Sequence, residues 1–393
     1  IVGSSGAEHA IRGYFSAYDA ETGKRAWRFY TVPGDPSKPQ EGKHLDAAAK
    51  TWTGDFWKLG GGGNVWDGIT YDPVTNLVIF GTANAEPWNP AHRNTNGAGD
   101  SLYTASIVAV NADTGEYVWH FQETPEDRWD FDSTQQIIVR DIAIDGKQQR
   151  VVMHAPKNGF FYTLDAKTGK FLSGKPFVEG INWASGLDPV TGAPNINPEA
   201  KYEVTGKPFV GFPGAIGAHS WTPMSYSPKT GLVYIPVNYT PQFYMGDPDW
   251  KPGTTGFQLG LDVSPGAIPA DEAIRTPRSS SSSRTRPAPH TWFRLRSVKA
   301  RSTPASRSRP IASNTLLRGA STSAIASSED MMGVPGNRAS ILAMALPARI
   351  GPVNSRQALG ISRRRSAVVR DSAAAILAER VIVPSRGASS PER

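Results

Sequence analysis

The 393-residue chain contains no cysteine. Disulfides, thiolate metal sites, covalent haem attachment and cysteine nucleophiles are therefore all excluded. No apolar run approaches the ~20 residues needed to cross a bilayer. The chain opens IVGSSGAEHA, without a Met, a charged leader or an apolar signal core, so a removed leader or a start inside a longer protein is expected. Aromatics are scarce in one region only: from 271 onward Trp292 and Phe293 stand alone, while all twelve Tyr and ten of the eleven Trp come earlier. That later segment carries 20 Arg and one Lys against seven acids, whereas residues 1–270 hold 21 basic and 28 acidic residues. The overall charge of +7 thus averages two unlike parts. A chain with little large apolar surface cannot offset the entropy of ordering, so 275–393 reads as a disordered tail, and its Arg/Ser/Pro/Ala bias suits a gene read out of frame near 275. Nucleic-acid binding by the tail is not expected, because basic runs such as SRRRS (Ser362 to Ser366) lack aromatics or a fold to add specificity.

Residues 1–274 are rich in repeats instead. AYDAETGKRAWRF (Ala17 to Phe29) returns as AVNADTGEYVWHF (Ala109 to Phe121) and, more weakly, as TLDAKTGKF (Thr163 to Phe171). TYDPVTNLVIFGTAN (Thr70 to Asn84) pairs with SYSPKTGLVYIPVN (Ser225 to Asn238). Each unit reads as strand, tight turn, strand: Asp-Ala-x-Thr-Gly supplies turn chemistry, and the flanks are β-branched and aromatic. Trp27 and Trp119 recur at one offset, which predicts packing between neighbouring units. The pattern predicts an all-β chain of propeller type, in which each four-stranded blade buries its faces against the next.

A propeller fold predicts no chemistry by itself, so function must come from the loops. SSGAE (Ser4 to Glu8), GGGGNVWDG (Gly60 to Gly68), GTANAEPWN (Gly81 to Asn89) and ETPEDRWDFDS (Glu123 to Ser133) set oxygen donors or aromatics beside small residues. Glu8, Asn84, Asp130 and Asp132 are hard donors of the kind a highly charged cation takes. Each has a plainer reading: Glu8 could cap a turn, Asn84 could sit in a turn, and the aspartates could pair with Arg128. In an extended strand Asp130 and Asp132 would share a face about 6 to 7 Å apart and repel unless a positive group lay between them.

These strings, with HAPKNGFFYTLD and HSWTPMSYSPKTGLVYIP, occur in the order found in the pyrroloquinoline quinone (PQQ)-dependent methanol/ethanol dehydrogenases, and residues 1 to about 265 resemble that family. The resemblance implies an eight-bladed propeller, of which this chain would be an incomplete portion of about four or five blades. It implies PQQ and one metal ion as cofactors, with Glu8, Asn84 and Asp130 as metal ligands. Asp130 falls on the catalytic base, Trp66 on the tryptophan lying against the quinone, and Lys157 on the basic residue at the reactive carbonyl oxygen. Ser5, Gly6 and Ala7 fall on the loop holding a cofactor carboxylate. Asn64 stands where many relatives have Thr and should still donate to a carboxylate; Ser220 stands where relatives often have Asn at the quinone. Members that use a lanthanide resemble WDFDS in having the second aspartate, so Asp132 is expected as a fourth ligand and a lanthanide is favoured over Ca²⁺; the alternative is an outer-shell or solvent-facing aspartate in a calcium enzyme. The family's upstream vicinal disulfide has no counterpart here.

The expected function is oxidation of a primary alcohol to an aldehyde in the periplasm, with a small alcohol as substrate and a c-type cytochrome as electron acceptor. The resemblance leaves a homodimer open and calls for no nucleic acid and no membrane span. The alternative is a truncated, inactive propeller or a non-enzymatic scaffold.

Overall fold

The computed structural model describes residues 1–95, 99–253 and 257–264, together with strand segments at 293–294 and 340–345. The chain divides into Ile1–Ala348 and Arg349–Arg393, the latter outside the described residues. The first unit is built of antiparallel strand pairs, apart from one parallel pair among its last strands. β1 (Tyr14–Tyr18) pairs with β2 (Arg25–Tyr30). β3 (Ile69–Asp72), β4 (Leu77–Gly81), β5 (Ser106–Asn111) and β6 (Tyr117–Gln122) form a four-stranded meander. β7 (Ile138–Ile144), β8 (Lys147–His154), β9 (Phe160–Asp165) and β10 (Phe171–Pro176) form a second. Shorter pairs follow: β11 (Ala184–Leu187) with β12 (Pro194–Ile196), and β13 (Phe209–Gly211) with β16 (Gln242–Tyr244). Between the latter two in sequence, β14 (Ser225–Ser227) pairs with β15 (Leu232–Val237). β15 also pairs with β18 (Ser340–Ala345), itself beside β17 (Phe293–Arg294). The rest of the tail expected at 275–393 lies outside the described residues.

The inner strands read as unbroken apolar runs because both of their faces are covered. In β4, Val78 and Phe80 pack with Phe15 and Phe29 of the preceding sheet. Leu77 and Ile79 point the other way and join Val152 and Leu164 of the following one. Val151, Met153 and Phe161 in turn meet Val233 and Ile235. Side chains alternate at period two, so one strand feeds two interfaces, and each fully buried Val, Leu, Ile or Phe is worth about 1.5–3 kcal/mol.

The tryptophans dock as expected. Trp27 Nε1 donates to the Ala112 carbonyl at 3.3 Å, and its ring covers Gly115, where a Cβ would stand 2.5 Å away. Trp119 repeats the contact on Ala166 (3.2 Å) and Gly169, and Phe171 lies over Gly192 in the same manner. Each ring therefore seals its sheet against the Asp/Asn-x-x-Thr-Gly turn of the next. The turns themselves close through aspartate: Asp19 Oδ1 accepts from the Thr22 amide at 2.7 Å, and Asp165 and Asp188 do the same for Thr168 and Thr191.

Candidate active site

In an antiparallel blade the start of its first strand and the end of its second emerge at one end. Trp66 precedes β3 and Asn84 follows β4; Asp130 and Asp132 precede β7, and Lys157 follows β8. The Ser4–Glu8 loop leads towards β1, and Ser220 precedes β14. Topology alone thus delivers residues 215 positions apart to one place, where a cavity of about 410 Å³ opens. Ser5, Gly6 and Glu8 line it from the N-terminal loop, and Trp66 from the glycine-rich loop. Asp132 and Lys157 line it as well, with Ser220 and Trp221 beside them.

Close backbone approach aligns these loops. Gly62 has φ 78°, and a Cβ there would lie 2.5 Å from the Asn84 carbonyl oxygen. The Gly63 amide donates to that carbonyl at 2.9 Å, and the Ala83 amide donates to the Asn64 carbonyl at 2.8 Å. Gly81 admits no side chain at all, since its Cβ would fall 1.4 Å from the Ser133 carbonyl oxygen. That contact draws segment 82–84 against 132–133, with the Ser133 amide donating to Thr82 at 3.0 Å.

WDFDS is not a strand. Asp130 has φ 64°, a left-handed conformation that costs a non-glycine residue about 1–3 kcal/mol, and Asp127 supports it by accepting from the Trp129 and Phe131 amides at 3.1 and 3.2 Å. The apolar pair still goes one way: Trp129 and Phe131 are fully buried with Trp183. The acidic pair goes the other, and the positive group between the two carboxylates is Lys157, 2.8 Å from Asp130 Oδ2 and 2.6 Å from Asp132 Oδ2. The other oxygen of Asp132 accepts from the Asn84 backbone amide at 2.8 Å. Asp132 is 3% exposed, which removes the solvent-facing alternative. Arg128 takes no part, being paired with Glu126 and Glu203.

Burial would lower the Lys157 ammonium, but the two aspartates outweigh it and hold it above its ordinary value. Burial pushes Asp130 well up, with the Asp132 charge adding and Lys157 opposing. Asp130 Oδ1 and Ser220 Oγ are buried without a hydrogen-bond partner among the described residues. Glu8 sits in the single 3-10 turn Ala7–His9, entered through Gly6 at φ 88°. Asn64 lies behind the cavity wall, its amide donating to Ser4 Oγ and the Ser5 carbonyl, both at 3.2 Å, so here it anchors the N-terminal loop.

Asp130 and Asp132 against one ammonium, with Glu8 lining the same cavity and a carboxylate oxygen and a hydroxyl unpartnered, leave the site short of positive charge and supply oxygen donors of the kind a multivalent cation takes. Among the described residues no three His, Asp or Glu side chains are gathered as a metal-holding group, Lys157 standing between the two aspartates. Two participants escaped the sequence reading. Trp221 lines the cavity beside Ser220, and Glu86 is a fully buried carboxylate bonded to Asn84. Both lie within quoted strings (HSW and GTANAEPWN), but nothing in their spacing marked them.

Residues 1–175 match the PQQ family domain described as glucose/ethanol/alcohol dehydrogenase, beta-propeller domain. The N-terminal two thirds of the chain is thus, by sequence and fold, related to the PQQ-dependent alcohol dehydrogenases. The dehydrogenase subunit of the quinone alcohol dehydrogenase of Gluconobacter oxydans (strain 621H) is 51% identical over 271 residues, 67% of this chain and 36% of the relative. The solved quinohemoprotein alcohol dehydrogenase of Comamonas testosteroni superposes with a TM-score of 0.64 at 47% identity, covering 68% of this chain and 41% of that one. A europium-containing methanol dehydrogenase superposes with a TM-score of 0.59 at 34% identity, covering 66% and 46%. The chain therefore spans less than half the length of these relatives. Among the described residues no helix is long and apolar enough to cross a membrane.

Proposed function

We propose that this chain is a portion of a PQQ-dependent enzyme that oxidises a primary alcohol to an aldehyde, with one metal ion, a lanthanide in preference to Ca²⁺. The observation that carries the reading is the Asp130–Lys157–Asp132 cluster beside a cavity that Trp66 and the Ser5–Glu8 loop also line. Glu8, Asn84, Asp130 and Asp132 would hold the metal, and Trp66, Ser5, Gly6, Ala7 and Ser220 would hold the quinone. When bound, the quinone supplies the two-electron oxidising power and the metal supplies Lewis acidity.

The chain's own residues do the rest. Trp66 offers a flat, half-buried ring for stacking. Asp130 Oδ1, buried and unpartnered, is the atom that takes the hydroxyl proton of the alcohol. Lys157 keeps a fixed positive charge at the cavity wall, where it opposes the build-up of negative charge during oxidation. The kinship with quinohemoprotein dehydrogenases supports a c-type cytochrome as electron acceptor and the periplasm as location.

The test is titration of the chain with PQQ in the presence of La³⁺, followed by dye-linked oxidation of a primary alcohol. Quenching of tryptophan fluorescence is expected for the parent. Asp130→Asn should keep the fold and lose nearly all turnover, because an amide does not accept the proton. Absence of PQQ binding, or substantial turnover by Asp130→Asn, would overturn the assignment.

A further inference from the structure

Glu86 is a buried carboxylate that the chemistry above leaves unused. It follows Asn84 by two residues, and its backbone N–H donates a hydrogen bond to the Gly61 carbonyl at 3.1 Å. Its Oε1 accepts from Asn84 Nδ2 at 3.0 Å, while the Ala85 carbonyl accepts from the same nitrogen at 3.2 Å. A carboxamide has one donor end and one acceptor end, so two oxygens at its nitrogen decide which way it faces. Both amide hydrogens are spent there. Turning the amide over would set Asn84 Oδ1 against two other oxygens. No described residue donates to Oδ1 in the observed arrangement, and a hard cation takes only the oxygen end of an amide.

We infer that Glu86 is a positioning residue for the metal site: its side chain orients the Asn84 amide so that Oδ1 faces the ion. The inference rests on the reading of Asn84 as a ligand. An acceptor at Oε1 is sufficient for the role, so glutamine preserves it and alanine does not. A partner of this kind that orients a ligand typically controls about 10- to 100-fold in metal affinity.

The experiment is Tb³⁺ binding to the full chain, read as luminescence excited through tryptophan and competed with La³⁺. Glu86→Ala is expected to weaken binding about tenfold or more, and Glu86→Gln to stay near the parent. The decisive arm uses the Asn84→Asp background, in which both ends of the ligand are oxygens and no orientation is needed. There Glu86→Ala should cost little, so the two substitutions are non-additive. An equal loss in both backgrounds would make Glu86 a ligand or a fold element and overturn the inference, as would parent-like binding by Glu86→Ala. Glu86→Met, similar in volume but without the acceptor, replaces Glu86→Ala if the latter does not fold. No Tb³⁺ binding by the parent would instead overturn the metal-site reading, and this inference with it.

Discussion

The Lys157 ammonium lies 2.6 Å from the Asp132 carboxylate, both nearly buried at the mouth of the loops. The same ammonium reaches Asp130, so one cation bridges two like charges that the chain forces together and offsets only part of their charge. Removing one partner of a buried ion pair leaves uncompensated charge and costs about 3–5 kcal/mol. Lys157→Met should therefore lower unfolding stability by roughly that amount in urea titrations. Added La³⁺ should restore more stability to the variant than it adds to the parent. Equal stability of parent and variant would show that the pair contributes nothing.

Trp66→Ala removes an aromatic face from the cavity. It should weaken PQQ binding by about 1 to 3 kcal/mol through lost stacking and apolar burial, with little change in thermal stability, since Trp66 is only half-buried. An unchanged PQQ isotherm would remove Trp66 from the site.

Metal choice should follow charge. Glu8, Asp130 and Asp132 are hard, negatively charged donors, which attract a trivalent ion more strongly than a divalent one, and the trivalent ion polarises a bound oxygen more strongly. La³⁺ and Ca²⁺ are of similar size, so steric fit does not separate them. The parent should bind and use La³⁺ in preference to Ca²⁺, and Asp132→Ala should lose lanthanide affinity far more than calcium affinity. The same metal preference in both proteins would make Asp132 a neighbour only.

Away from the site, Asp72 ties two blades together through Arg150 of β8. Burial would raise the Asp72 carboxyl, but Arg150, Thr75 and the Val74 amide outweigh it and bring it to about 2. The folded value lies below the ordinary 3.8, so the stabilisation is present above that pH and lost as pH falls towards 2. Asp72→Asn should melt lower than the parent at pH 6, and the gap should close between about pH 4 and pH 2. A gap independent of pH would assign the effect to packing instead.

The repeats were legible because turns and apolar alternation are local: Asp19, Asp165 and Asp188 close their turns through neighbours two and three residues on. The docking of Trp27 and Trp119 followed from one offset repeated. The candidate site was legible as an order of short strings, yet the positive group between the two aspartates was not assigned. Arg128, the neighbour in sequence, faces Glu126 and Glu203, because the left-handed turn at Asp130 sends the aspartates to the opposite side. Asn64, read as a donor to a cofactor carboxylate, also donates to Ser4 and Ser5 of the N-terminal loop, a contact across about 60 residues that no spacing marked.

By itself the sequence determined what short-range chemistry controls: an all-β repeat chain, its turns, its inter-sheet tryptophans, and a set of hard oxygen donors in three loops. Only the tertiary structure decided partnership. Which cation meets Asp130 and Asp132 and that Trp221 reaches the cavity depend on groups tens of residues apart, or on a backbone handedness no local rule assigns; the Asn84 amide is turned by near neighbours, Ala85 and Glu86, whose side-chain and backbone placement the fold sets. Coulomb attraction and amide orientation act over about 3 Å, and only the folded blades bring those atoms that close.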